Sequence, residues 1–211
     1  MKDTVKIVFQ GDSITDADRE RRDYHNMGNG YARRVTEALV ERFPNVTFEF
    51  INQGISGNRS GQLFDRLHKD AMAFEPDIIS VLIGINDIWH RYNSPAIRTT
   101  DEQYEANLRA ILSELREHTS AKIILLQPYL LDSEKNANLR PDLDRMLPIV
   151  ETLANEYADA YVRLDERFAE AMKTQPRPCY YSCDGVHPAS VGAELIAECY
   201  LEAIVPLIER L

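Results

Sequence analysis

Cysteine, tryptophan and positive charge are all scarce in this 211-residue chain. Three cysteines, Cys179, Cys183 and Cys199, are an odd number and too few for a disulfide scaffold. They suit free thiols in a reducing compartment. Cys179 and Cys183 stand close enough to pair or to share a metal, but a structural zinc site takes about four ligands and no second cysteine pair exists. No metal is therefore expected. Lysine and arginine number 24 against 34 acidic residues, a net charge of −10, which leaves no basic footprint for nucleic acid and disfavours polyanionic partners. No apolar run approaches the roughly 20 residues of a membrane-spanning helix, and no stretch has signal-peptide form. The expectation is a chain without membrane association, located by default in the cytoplasm. Internal repeats, low-complexity tracts and long Pro/Gly/Ser linkers are also missing, so residues 1–211 read as one domain.

What is present is the composition of a folded protein: 44% hydrophobic and 27% charged residues, with ten tyrosines and seven phenylalanines. Apolar runs predict strands over residues 5–10, 47–52, 77–84, 122–127 and 160–164. Three of them (K-I-V-F, I-I-S-V-L-I and K-I-I-L-L) are nearly continuous, as in strands buried on both faces of a parallel sheet. Helical spacing predicts helices over 31–43, 62–74, 102–118 and 140–157, the last broken or restarted near Pro148. A final helix is expected over 188–208, opened by Pro188, with Leu195, Ile196, Cys199, Ala203 and Ile204 turned inward. Strands alternating with helices imply a doubly wound α/β fold of three layers, with a five-stranded parallel sheet between helices. The very apolar C-terminal segment reads either as a buried helix or as a subunit interface.

In such a sheet the ligand site lies beyond the carboxyl ends of the strands, so the exit loops carry the chemistry. The first is Gly11-Asp12-Ser13, with Asp12 expected to tie the turn to backbone amides. The second reads Q-G-I-S-G-N-R-S, the third G-I-N-D-I-W, and the last C-D-G-V-H-P. Acyl transfer needs a nucleophile, a base, a group that orients the base, and donors for an oxyanion. These loops hold candidates for each: Ser13 to attack, His187 as base and then acid, Asp184 as orienter, and Gly57 and Asn86 as donors. Gly57 has no side chain to block its backbone N–H. Alone, each has a plainer reading: a strand-end turn for Ser13, turn glycines for Gly54 and Gly57, a helix cap for Asn86-Asp87, a surface histidine for His187. Their joint occurrence on one sheet edge favours the catalytic reading.

The blocks G-D-S-I-T-D, G-I-S-G-N, G-I-N-D and D-G-V-H-P resemble, in order, the four signatures of the GDSL, or SGNH, hydrolases. Ser13, Gly57, Asn86 and His187 fall on the name-giving positions, and Asp184 on the acid of the D-x-x-H block. The resemblance implies a flavodoxin-like sheet, ester hydrolysis without a cofactor, and an oxyanion hole from the N–H groups of Ser13 and Gly57 with the Asn86 side chain. Two departures are Ile14 in place of leucine, a conservative swap, and Thr15 where a G-x-S-x-G elbow would need glycine. Some family members have a backbone carbonyl helping the histidine, which makes Asp184 less critical than His187.

The longer phrases N-Q-G-I-S-G-N and I-G-I-N-D-I-W-H-R-Y are similar to those of bacterial carbohydrate acetylesterases, such as acetylxylan esterases. That likeness implies a small-molecule or oligosaccharide acyl ester as substrate, O-acetyl groups on xylo-oligosaccharides above all, and adds the expectation of a homo-oligomer of unset size. Trp89 is a candidate to stack on a sugar face, against packing beneath the third strand's exit. Arg59 is a candidate for sugar hydroxyls, against plain solvation. The same machinery also serves general short-chain esterases, thioesterases and lysophospholipases. A non-catalytic binding module and a phosphate-binding flavoprotein fit less well: the catalytic set is intact, and the run Asp16-Ala17-Asp18-Arg19-Glu20-Arg21-Arg22-Asp23 is a poor phosphate cradle.

Overall fold

The computed structural model describes residues 2–131 and 135–211. Its sheet is wholly parallel, with strands β1 (Thr4–Gly11), β2 (Thr47–Gly54), β3 (Ile78–Leu82), β4 (Lys122–Leu126) and β5 (Ala160–Val162) in the order β2-β1-β3-β4-β5. The apolar runs explain the arrangement. Every residue of β3 is buried and β1 is buried from Ile7 onward but for no polar break, Gln10 included, whereas the edge strand β2 is only half-buried over residues 48–50. Continuous hydrophobicity thus marks the central strands, which are covered on both faces.

Helices α1 (Ser13–Asp16), α2 (Tyr31–Arg42), α3 (Ser60–Asp70), α4 (Ile85–Asn93), α5 (Asp101–His118), α6 (Arg140–Tyr157), α7 (Leu164–Thr174), α8 (Pro178–Tyr181) and α9 (Ser190–Ile208) follow in chain order. α2 packs on α9, while α3 packs on α5 and α5 on α6, which gives the two outer layers. The chain runs from β1 to β2 on one side and then returns past β1 to β3, so the sheet reverses its winding between β1 and β3. That switch point is where a doubly wound sheet leaves a crevice. The residues emerging there are Asp12-Ser13 and Ile83-Gly84-Ile85-Asn86.

Several expectations need correction. The segment after β3, read as a loop, is the helix α4. Gly84 makes the turn into it at φ +139°, and a Cβ there would lie 2.8 Å from the Tyr104 hydroxyl. A nine-residue polar helix is marginal alone. Here Arg91 anchors it, donating to the Thr99 carbonyl (2.8 Å), to Asp142 (3.1 Å) and to Asp101 (2.6 Å). Helix α6 is continuous through Pro148, because Pro148 and Asp144 are both exposed and water can replace the one lost hydrogen bond. The expected 62–74 helix starts at Ser60, stops at Asp70 and is followed by a single 3₁₀ turn, Met72–Phe74. The last helix begins at Ser190 rather than Pro188; it buries Ile196, Cys199, Tyr200 and Ile204, with Leu195 and Ala203 at its margin. It is a core helix, packed against α2 and β5.

Candidate active site

The strand β1 ends in a tight turn because Asp12 caps the four-residue helix α1. Its Oδ1 accepts a hydrogen bond from the Ile14 N–H at 3.0 Å. Ser13 is the first residue of that helix, at the mouth of the crevice. Its Oγ lies 2.9 Å from His187 Nε2, and His187 Nδ1 lies 2.7 Å from Asp184 Oδ2. With the proton on Nδ1 donated to Asp184, Nε2 is left to accept from the serine hydroxyl. The two residues stand on one short loop. Asp184 Oδ1 accepts from the N–H groups of Val186 (2.9 Å) and His187 (2.8 Å) and from the Ser182 hydroxyl (3.1 Å). The D-x-x-H spacing therefore folds back on its own carboxylate.

The electrostatics follow from these contacts. Burial works against ionisation of Asp184, but the hydrogen bonds from the His187 ring and from the Val186 and His187 N–H groups outweigh it and hold the carboxyl far below its usual range. The Asp184 hydrogen bond in turn raises the His187 imidazole above its ordinary 6.5, against the opposing effect of partial burial. Beneath them Asp12 is fully buried, and its carboxyl is pushed up to about 7 by that burial, offset in part by the Ile14 N–H.

The other expected residues converge on the same edge. Asn86, buried in the first turn of α4, donates its Nδ2 to the Asn58 carbonyl at 3.1 Å. Gly57 precedes Asn58 on an exposed loop. A Cβ at Gly57 would meet no protein atom within 4 Å, but the backbone holds φ at +83°, which side-chain-bearing residues rarely adopt, as the turn-glycine reading expects. Ser13, Ser56 and His187 line one cleft of about 430 Å³. Trp89 is half-buried against the core, and its ring centroid lies 5.8 Å from that of His187. It packs, and it also flanks the imidazole. Arg59 is engaged in the protein: its Nε donates to Gln62 Oε1 at 3.3 Å and its Nη1 to the Ile97 carbonyl.

Sequence reasoning missed three supports. Asp16 and Arg19, in the charged run weighed only as a poor phosphate cradle, are buried; Arg19 Nε donates to the Gly54 carbonyl at 3.0 Å. Arg66, on the α3 face, reaches the carbonyls of Gly11 and Gln53. The exit of β4, which carries no signature block, holds the Asp184 loop. There Tyr129 donates its hydroxyl to the Val186 carbonyl (2.8 Å), the Leu131 N–H donates to Gly185 (2.8 Å), and Asn136 donates to the Asp184 carbonyl. None has a clear local signal, since each has at least one partner 35 or more residues away: Gly54 for Arg19, Ser56 for Asp16, Gly11 for Arg66, and the Asp184 loop for Tyr129, Leu131 and Asn136. Among the described residues, no three His, Cys, Asp or Glu side chains converge as a metal site, and no helix is long and apolar enough to cross a membrane.

The chain is thus a three-layer α/β sandwich with a five-stranded 2-1-3-4-5 parallel sheet, and a serine, a histidine and an aspartate are linked by hydrogen bonds at its carboxyl edge. The chain belongs to the GDSL-like lipase/acylhydrolase family, whose model matches residues 9–195, and it is a carboxylic ester hydrolase. It is 32% identical over 206 residues to an acetylxylan esterase of Geobacillus stearothermophilus, covering 94% of this chain and 93% of that protein. The solved structure of that esterase superposes with a TM-score of 0.86 over 96% of this chain and 95% of the other. A Parabacteroides merdae protein described as a GDSL-like lipase is 35% identical, with a TM-score of 0.89 and 95% of each chain covered. Other solved forms of the Geobacillus esterase are catalytic mutants with a serine, an aspartate or a histidine replaced by alanine, the last two being three residues apart.

Proposed function

We propose that residues 1–211 form one hydrolase domain, a serine esterase that removes acetyl groups from xylo-oligosaccharides or related sugars through an acyl–Ser13 intermediate. The observation that carries this reading is the hydrogen-bonded relay Ser13 Oγ–His187 Nε2 and His187 Nδ1–Asp184 Oδ2. The catalytic mutants of the Geobacillus esterase add support, because the same residue types recur with the same three-residue step between acid and histidine.

In this mechanism His187 Nε2 takes the Ser13 proton as Oγ attacks the acetyl carbonyl. Asp184 keeps the imidazole oriented and stabilises its charged form. The N–H groups of Ser13 and Gly57 and the Asn86 amide donate to the oxyanion of the tetrahedral intermediate. The Ser13 N–H is one of the free N–H groups at the start of α1. His187 then protonates the departing sugar oxygen, and water, activated by the same imidazole, releases acetate. The Trp89 ring beside His187 supplies a wall for the acyl group or a face for the sugar.

The test is release of acetate from acetylated xylo-oligosaccharides, run beside a chain-length series of nitrophenyl esters. Activity should fall sharply beyond acetyl, and Ser13→Ala should lose nearly all turnover. Wild-type turnover in Ser13→Ala would refute the nucleophile; a maximum near octanoyl would refute the acetyl substrate and point to the lipase or thioesterase chemistry of the same machinery.

A further inference from the structure

The three proposed oxyanion donors sit on three separate segments: α1, the loop after β2, and α4. The loop is the least fixed by packing. Ser56 and Gly57 are exposed, and the space above Gly57 is open. Hydrogen bonds therefore set its position: the Ile55 N–H donates to the Gly11 carbonyl and the Asn58 N–H to the Ile55 carbonyl, both at 3.1 Å, and two charged groups below it hold the side chains and the rest of the backbone. Asp16, the last residue of α1, has a side chain only 2% exposed. Its Oδ2 accepts from the Ser56 N–H (2.9 Å) and the Ser56 hydroxyl (2.7 Å), and from Arg21 Nε (3.1 Å). Arg66 reaches up from α3. Its Nε donates to Asn58 Oδ1 at 2.8 Å, its Nη1 to the Gln53 carbonyl at 2.8 Å, and its Nη2 to the Gly11 carbonyl at 3.0 Å. The Asn58 carbonyl is the group that receives the Asn86 amide.

The two ends of the loop are thus tied to the same reference. Asp16 fixes Ser56 to the helix that presents Ser13; Arg66 fixes Asn58 to the strand end one residue before Asp12. Gly57 lies between the two ties, and Asn86 registers on the second. We infer that Asp16 and Arg66 are positioning residues of the ester hydrolysis, holding Gly57 and Asn86 in register with Ser13 through Ser56 and Asn58. Neither lines the cleft of Ser13 and His187, and the inference rests on the oxyanion assignment proposed above. Charge-assisted hydrogen bonds suit the task, being shorter and stronger than neutral ones. The demand is strict, since a misplacement of about 1 Å in a catalytic constellation can cost on the order of 10²-fold in rate.

The kinetic signature separates positioning from simple stabilisation. A donor used only in the transition state lowers kcat and kcat/KM together and leaves KM alone. Asn58→Ala removes the Arg66 anchor while leaving the guanidinium, and Asp16→Asn weakens the Ser56 anchor. Each should lower kcat on nitrophenyl acetate by about 10–10²-fold with KM nearly unchanged. Affinity for an alkylboronic acid, which forms a tetrahedral anion on a serine, should fall in parallel. Arg66→Ala should behave likewise and regain turnover with added methylguanidinium, and Arg66→Lys should retain more than Arg66→Ala. Wild-type kcat in folded Asn58→Ala and Asp16→Asn would overturn the inference, as would a change in KM alone or a kcat loss that merely follows the unfolded fraction. Asn86→Ala measured alongside separates the two failures: an unchanged kcat there overturns the oxyanion reading itself, whereas a large kcat loss in Asn86→Ala beside an unaffected Asn58→Ala and Asp16→Asn overturns the brace alone.

Discussion

The two halves of the candidate site are built differently. On the donor side, the carboxylates of Asp12, Asp16 and Asp87 are each at most 2% exposed, and Asp87 ties α4 to the start of α3 by accepting from the Ser60 N–H (2.9 Å) and hydroxyl (2.6 Å). On the acid–base side, the Asp184 and His187 side chains are 30% and 48% exposed. There the D-G-V-H loop is held by hydrogen bonds it makes to itself and by those from the β4 exit. The contrast follows from the chemistry. Oxyanion donors act by being fixed before charge develops. A base must accept a proton, release it to a leaving group and face water, which an exposed imidazole on a short loop can do.

The comparison breaks first at Asp184. In Asp184→Asn the Oδ1 acceptor can survive, but the amide no longer stabilises the imidazolium or selects the tautomer that leaves Nε2 free. In the trypsin-type triad that change costs about 10⁴ in kcat, and a loss on the order of 10³–10⁴ is expected here. The pH dependence sharpens the test. The base must be neutral, so wild-type kcat/KM should fall on the acid side at a pH above 6.5, since Asp184 raises His187. The asparagine variant should move that limb to lower pH. A variant with wild-type rates and an unmoved limb would show that Asp184 does not orient the base.

Next in size is Asn86→Ala, which removes one donor together with its bond to Asn58. Loss of a single oxyanion donor typically costs about 10²–10³ in kcat. The same range is expected, with KM preserved, in steady-state assays on a nitrophenyl ester. A change of less than about threefold would move Asn86 out of the donor set and leave it as a tie between α4 and the Gly57 loop.

Much of this architecture was legible in the sequence. The central strands showed as unbroken apolar runs, and the four exit blocks marked Ser13, Gly57, Asn86, Asp184 and His187 because chemistry at strand ends is written locally. What could not be read depends on partners far along the chain. Asp16 and Arg19 sit in a run whose composition is that of a solvated loop, and it takes Ser56 and Gly54, 40 and 35 residues on, to hold them in place. The polar segment Ile85–Asn93 has weak helical character of its own, and its anchors are Asp101 and Asp142. Tyr129 and Asn136 support a loop some fifty residues later. Local pattern marked the candidate groups, and long-range contacts record how they are held.

The last test, of stability rather than rate, asks how the donor side carries buried charge. Asp12 ionises near 3.8 in the unfolded chain but only at about 7 in the fold, chiefly because it is fully buried. Between those values the folded state keeps a proton that the unfolded state has shed. The folded state then binds more protons, so this group makes stability fall as pH rises from about 4 to 7, with no further change above. Asp12→Asn keeps an oxygen for the Ile14 N–H and removes the ionisation. Measured by urea unfolding, the variant's midpoint should gain on the wild type steadily from pH 4 to 7 and hold that gain at pH 8. A difference that stays constant across this range would mean that Asp12 ionises in the fold as freely as on the surface, and the donor side would then resemble the exposed acid–base loop in its tolerance of charge.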